Sequence, residues 1–314
     1  GLTRTARAVY NQQRDLLRLL NTGAVPLDVA KVFVCGDQGI GKTTLITTLT
    51  SQRHLEAHEQ PPDEPDKPDD EESAGVQMHQ LQLNRSSHSG DSGTDATLRV
   101  FDFGGQPAFH VIHTLLVSDW TAAFVVCVDL SKSHEELRQS LWYWLRFIAT
   151  RIKQSKETLF AAELEEHDVI DKRPRVILVG TKVDKCHKTH KLNTEDGSSQ
   201  RLASCVHNAV STFSSVLNVV TSDSLIALNC FRSRDSGFEA LHQQLHDHAA
   251  AIKGLQLVVP RIVSEVSTAL GTVRKETVLP MSVDEVLVRV QAVHDDLSTM
   301  GDALTPDLFR TALR

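Results

Sequence analysis

Val32-Phe33-Val34-Cys35 is a strand-like apolar run that leads directly into Gly36-Asp37-Gln38-Gly39-Ile40-Gly41-Lys42-Thr43, a G-x-x-x-x-G-K-T loop. No other feature of the chain narrows its fold so far. A turn of this composition lets successive backbone N–H groups converge on an anion. Gly36, Gly39 and Gly41 supply conformations and close approach that side chains would block. The helix expected from residue 42 starts at that anion, so its dipole adds to the attraction. Lys42 is placed to reach the β- and γ-phosphates of a nucleotide, and Thr43, followed by Thr44, to put a hydroxyl on Mg2+. A chance glycine-rich turn would not carry both the strand before it and Gly-Lys-Thr after it. The loop therefore implies a strand–loop–helix unit and a nucleoside triphosphate.

Two later segments narrow the ligand. Asp102 follows Leu98, Val100 and Phe101 at the end of a strand-like run and opens Asp102-Phe103-Gly104-Gly105-Gln106. There it can hold Mg2+ through a water molecule, the Gly105 amide can turn toward a γ-phosphate, and Gln106 can orient an attacking water. A D-F-G triplet also occurs in protein kinases, but no H-R-D-like catalytic loop accompanies this one. Thr181-Lys182-Val183-Asp184 comes directly after the apolar run Val176-Ile177-Leu178-Val179. The Asp184 carboxylate matches the N1–H and exocyclic amino group of guanine, a donor pair adenine lacks on that edge. The Lys182 stem can lie along the base plane. Thr181 stands where Asn is commonest, and its hydroxyl, with fewer hydrogen-bonding groups than an amide, implies weaker coupling to the phosphate loop. Asn229-Cys230, after Leu225-Ile226-Ala227-Leu228, is placed for a backbone amide to contact the guanine oxygen. Ser73, just before the strand-like Val76–Leu83, is the candidate metal-facing hydroxyl of a γ-phosphate sensor, although an ordinary loop serine fits so polar a stretch equally well.

From Ala30 onward, strand-like and helix-like stretches alternate. Strands are expected at 31–35, 76–83, 97–102, 122–129, 175–181 and 225–230, and helices at 42–52, 133–154, 197–217 and 237–252. The alternation implies a three-layer α/β architecture, a mostly parallel six-stranded sheet covered by helices on both faces, with 76–83 as a half-exposed edge strand. Residues 1–22 read as a helix closed by Asn21-Thr22-Gly23, so 1–29 is expected to link an upstream module to a domain spanning 30–253. After residue 254 the alternation stops. Val258–Val273 and Val283–Leu297 read as amphipathic helices of a further region, 254–314.

Composition excludes several classes. The chain has 314 residues and a net charge of −7, and the stretch 59–72 alone holds eight acidic residues against Lys67. The remainder is balanced, so no nucleic-acid-binding surface is implied. The five cysteines are odd in number and show no C-x-x-C spacing, which points to a reduced, cytoplasmic chain without zinc or disulfides. No apolar run reaches membrane-spanning length. His110 and His113 lack a third ligand at suitable spacing, and Trp142, Tyr143, Trp144 and Phe147 read as core or interface rather than a ligand cage. The chain opens on Gly1-Leu2-Thr3 without an initiator Met and is read as a piece of a longer protein.

The ordered motifs resemble the Ras-like GTPase superfamily, with its P-loop NTPase fold. The run Phe101 to His113, with Asp102-Phe103-Gly104-Gly105-Gln106 and the His-x-x-His at 110–113, is similar to the Roc (Ras of complex proteins) domain of Roco proteins. Ser73-Ala74-Gly75-Val76 resembles the Thr-x-Gly-Ile of that family's first switch, and the tail from Val258 is similar to the beginning of its COR region. The resemblance implies a homodimer formed through COR and neighbouring repeat and kinase domains in a signalling protein; GTP hydrolysis with Mg2+ is expected to be slow because no arginine finger is identifiable. Gln38, where small GTPases often have Gly, and Pro107, where an acidic residue is usual, bear on turnover more than on binding. A hydrolysis-poor nucleotide-binding scaffold or dimerisation module therefore stays open. So does an ATP-dependent oligomerising switch.

Overall fold

The structure is a computed structural model that describes residues 23–26, 29–55, 76–83, 96–103, 121–159, 173–186, 198–220, 225–232, 235–255, 258–262, 264–266, 285–286 and 288–289. The chain divides into two compact units, one spanning Asp28–Gly254 and one formed by Gly1–Leu27 with Leu255–Arg314.

In the larger unit, strands β2 (Val29–Cys35), β3 (Val76–Leu83), β4 (Ala96–Phe103), β5 (Ala123–Asp129) and β6 (Arg175–Thr181) alternate with helices. These are α1 (Lys42–Leu55), α2 (His134–Leu159), α3 (Val183–Cys186), α4 (Ser198–Phe213) and α5 (Ser236–Gly254). The sheet runs β3-β4-β2-β5-β6 and then a sixth position. All pairings are parallel except that of β3, which lies antiparallel along β4 at the edge. One strand was expected in the sixth position. Two fill it: β7 (Asn218–Val219) pairs with the start of β6 and β8 (Ile226–Ala227) with its end, which makes seven strands in all. Two-residue pairings leave no alternating pattern in the sequence, which explains the missed β7 and the overlong 225–230.

β5 and β6 are buried nearly throughout, as central parallel strands must be. On one face Phe33, Phe124, Val126 and Leu178 join a cluster with Leu141, Trp144 and Ile148 of α2 and Leu202 and Val206 of α4. Phe33 anchors it, its ring 5.1–5.4 Å from those of Phe101, Phe103 and Phe124. Burying one such ring stabilises the fold by about 1.5–3 kcal/mol. α1 and α5 pack against β4 and its neighbours outside that cluster, completing the third layer.

Helix ends follow local chemistry. Ser133 and Glu136 form a reciprocal cap at the start of α2: the Glu136 N–H donates to Ser133 Oγ (3.3 Å) and the Ser133 N–H to Glu136 Oε2 (3.0 Å). Trp142 packs edge-on against Phe213 and Trp144 is buried, in keeping with the expected core role of this cluster, whereas Tyr143 is exposed.

In the smaller unit, β1 (Ala24–Pro26) pairs antiparallel with β9 (Val258–Pro260), and the Arg261 N–H donates to Gly23 O at 2.9 Å. The amphipathic helix expected from Val258 is therefore a strand at its start, with helical residues only after Pro260. Two β-branched residues followed by a proline favour extension once a partner strand is present. That partner is more than two hundred residues away in sequence, beyond the reach of a local pattern. The helix expected over residues 1–22 and most of that at 283–297 lie outside the described residues.

Candidate nucleotide-binding site

β2 lies between β4 and β5, so the strand order reverses beside it, and loops at the carboxyl ends of such strands form the usual ligand crevice of an open parallel sheet. The phosphate loop leaves β2 at that point. A Cβ on Gly36, whose φ is 151°, would stand 2.8 Å from the Cys127 carbonyl oxygen, so only glycine lets the loop pass this close to β5. Gly39 and Gly41 also have positive φ (70° and 98°). Helix α1 begins at once, with the Leu45 N–H donating to Gly41 O at 2.9 Å.

Lys42 is buried, and its Nζ donates to the carbonyl oxygens of Gly36 and Asp37, each at 2.9 Å. Two of its three hydrogens thus fix the loop's curvature. Burial pushes the Lys42 ammonium below its ordinary range, opposed by Cys127, Asp102, Cys35 and Asp37. A buried lysine held beneath a turn of backbone amides is a strong receptor for a polyanion, which would return the charge compensation that burial removed.

Thr43 and Asp102 come from elements 59 positions apart, and the Thr43 hydroxyl donates to Asp102 Oδ2 at 2.6 Å. Asp102 is 1% exposed, and its Oδ1 is buried without a hydrogen-bond partner among the described residues. Burial raises its pKa, partly opposed by the Thr43 hydroxyl, Lys42 and His79. An orphaned carboxylate oxygen beside a hydroxyl is a hard, all-oxygen donor set. It fits Mg2+, which binds one or two protein oxygens and keeps waters and phosphates for the rest.

Thr181 ends β6, fully buried, and its hydroxyl donates to Ile40 O in the phosphate loop at 2.7 Å. Val128 O lies at 3.3 Å, and with one hydrogen to give, the hydroxyl favours the shorter bond. Coupling to the loop, expected to be weak for a threonine, is one direct bond. The next residue, Lys182, has φ 58°, and its Nζ donates to Asp129 Oδ2 at 2.7 Å. Asp129 also accepts from the Ser131 N–H (2.9 Å) and Oγ (2.6 Å). Burial raises the Asp129 carboxyl, but the bonds from Lys182 and Ser131 outweigh it and leave the pKa lowered.

Asp184 is exposed in the first turn of α3. It is close enough to Cys230 that, after burial, it is the second cause pushing that thiol up to about 12. Cys230 in turn borders the phosphate loop: its Sγ would lie 3.6 Å from a Cβ on Gly41, and its carbonyl accepts from Thr48 Oγ1 of α1 at 2.6 Å. The Asn229 N–H donates to Asp235 Oδ2 (3.3 Å) and the Phe231 N–H to Asn229 Oδ1 (3.0 Å), so the turn is held from within.

Residues 36–44, Asp102, Thr181, Lys182, Asp184, Asn229 and Cys230 thus gather at the carboxyl ends of the strands. Ser73, Gly105 and Gln106, like His110 and His113, lie outside the described residues. Sequence reasoning missed Asp129, whose signal was an Asp-x-Ser turn after an apolar strand, and Ser140 and Trp144, whose contacts with the loop leave no sequence trace.

The family described as "Ras of Complex, Roc, domain of DAPkinase" matches residues 31–165, from the strand before the phosphate loop past the end of α2. That stretch is similar to Roc domains. The match and the sheet order agree on a P-loop NTPase fold. Among curated proteins, the probable serine/threonine-protein kinase pats1 of Dictyostelium discoideum is 25% identical over 146 residues, 43% of this chain but 4% of that one. The chain therefore spans only a small fraction of that relative's length. Among solved structures, Methanosarcina barkeri Roco2 RocCORdC bound to GDP is 17% identical, with a TM-score of 0.46, covering 91% of this chain and 68% of that one. The Roc match stops at 165, yet β6, which carries Thr181, is paired along β5 in the same sheet. The sheet continues past the matched stretch.

No helix among the described residues is long and apolar enough to cross a membrane, and no group of three or more metal-ligating side chains occurs among them. A site completed by phosphate and water oxygens needs no such group.

Proposed function

We propose that the chain is a guanine-nucleotide switch that binds GDP and GTP with Mg2+ and hydrolyses GTP slowly. The observation that carries this reading is the Thr181–Ile40 bond, which ties the strand end leading to Asp184 directly to the phosphate loop. In this reading the loop amides and Lys42 hold the phosphates, Thr43 and Asp102 hold the metal, with Ser73 a further candidate, and Asp184 reads the guanine edge beside the Asn229–Cys230 turn. Bound Mg2+ would neutralise charge developing on the phosphates. Gly105 and Gln106 are assigned the γ-phosphate contact and the orientation of water. No arginine finger is assigned, and since one contributes orders of magnitude, intrinsic turnover is expected to be slow. Single-turnover GTP hydrolysis tests this: Gln106→Ala should lower the rate, and an unchanged rate removes the assignment.

Exposed Gln38 within the loop supports the second reading, a nucleotide-binding scaffold with negligible turnover. That reading predicts tight GDP and GTP binding without hydrolysis above the uncatalysed rate. We further propose that 30–253 is the whole GTPase domain, that 1–29 links it to an upstream module, and that 254–314 begins a COR-like region through which two copies associate. Its setting would be a cytoplasmic signalling protein with repeat or kinase domains. Sedimentation of the chain loaded with GDP or a GTP analogue tests the association.

A further inference from the structure

Asp37 poses a problem of charge. It is the second residue of the phosphate loop, where a carboxylate stands among the amides meant for an anion. Its backbone carbonyl accepts from Lys42 Nζ, and its charge is one of those acting on that ammonium. A carboxylate free to swing toward the loop amides and Lys42 would repel an incoming phosphate and compete with it for the same donors.

Helix α2 removes that freedom. Ser140 Oγ donates to Asp37 Oδ2 at 2.6 Å and Trp144 Nε1 donates to Oδ1 at 3.0 Å, so both oxygens of the carboxylate are engaged by one helix, at positions i and i+4 of a single face. Trp144 is 1% exposed and packed in the core, which fixes the direction in which Asp37 is held. Both bonds are to a charged acceptor, the stronger class of hydrogen bond.

Resting on the guanine-nucleotide reading above, we infer that Ser140 and Trp144 are positioning residues for nucleotide binding: they turn the Asp37 carboxylate away from the phosphate site and keep it from acting as an internal competitor. The chemical class they discriminate for is a di- or triphosphate anion. Affinity for it depends on the state of a helix that supplies no residue of the phosphate loop and touches it through Asp37.

The test is calorimetric titration of the 314-residue chain with GDP and with a non-hydrolysable GTP analogue, in Mg2+. Ser140→Ala should weaken both by roughly three- to tenfold, the size expected for losing one bond to a charged group. Alanine favours helix over serine, so that loss would not reflect a weakened α2. Asp37→Asn, which removes the charge, should bind at least as tightly as the wild type, and in that background Ser140→Ala should have no effect. Trp144→Phe should repeat the pattern, with circular dichroism confirming its fold. Unchanged affinity in Ser140→Ala, or an equal loss in both backgrounds, would overturn the inference. Absence of guanine-nucleotide binding by the wild type would instead overturn the reading on which it rests, and the inference with it.

Discussion

The Thr181 hydroxyl donates to the carbonyl oxygen of Ile40 across 2.7 Å, joining two segments 141 positions apart at the heart of the site. Both groups are buried, so neither finds water if the other is removed. Thr181→Val, nearly the same shape without the donor, should cost about 1–3 kcal/mol of stability because the Ile40 carbonyl is left unsatisfied. Nucleotide affinity should fall with it, because the loop's curvature is set from this side. Urea unfolding and GDP titration check both effects, and Thr181→Ser should restore much of each.

Thr43 and Asp102 form the pair assigned to Mg2+. Asp102→Asn and Thr43→Val should each abolish most of the Mg2+-dependent part of GDP affinity while leaving the affinity measured in EDTA nearly unchanged. Removing the metal from the wild type should mimic the variants. If the two variants respond to Mg2+ like the wild type, the metal is not held here.

Lys182 and Asp129 are bonded at 2.7 Å with Asp129 largely buried, and the Asp129 carboxyl has a lowered pKa because hydrogen bonds from Lys182 and Ser131 outweigh burial. The unfolded chain therefore binds the proton more readily. This contribution is fully present above the ordinary aspartate pKa of about 4 and is lost as pH falls through the lower folded value. Asp129→Asn should cost about 1 kcal/mol at pH 7, and its difference from the wild type should shrink toward zero in strong acid. Chemical denaturation at the two pH values measures this.

Gly36 passes so near β5 that Gly36→Ala would bring a methyl group to 2.8 Å from the Cys127 carbonyl. The backbone must shift, and nucleotide binding should be lost more completely than stability. Thermal unfolding with and without GDP separates the two: the variant should lose the GDP-dependent rise in melting temperature.

Much of this was legible in the sequence because its signals are local. The Val32–Cys35 strand, the glycine spacing and Lys42 determine the loop within a dozen residues, and the apolar runs before Asp102 and Thr181 place both at strand ends. What was not legible depends on distant pairing. β7 and β8 are too short to show a period, β1 and β9 pair although more than two hundred positions apart in sequence, and the partners of Asp37 lie 103 and 107 positions away on α2. Lys182 was read as a support for the base, and its bond to Asp129 shows where its ammonium is held. The sequence had set Asp129 at a strand end without giving it a role.

In the proposed reading, the phosphate loop and Asp184 form one guanine-selective site. Competition between GDP and ADP for the Mg2+-loaded protein tests it most directly, with Asp184→Asn alongside. Two hydrogen bonds to a carboxylate should favour GDP by about a hundredfold or more. Asp184→Asn should remove most of that preference while phosphate binding persists. Equal affinity for the two nucleotides, or a preference for GDP unchanged in Asp184→Asn, would contradict it.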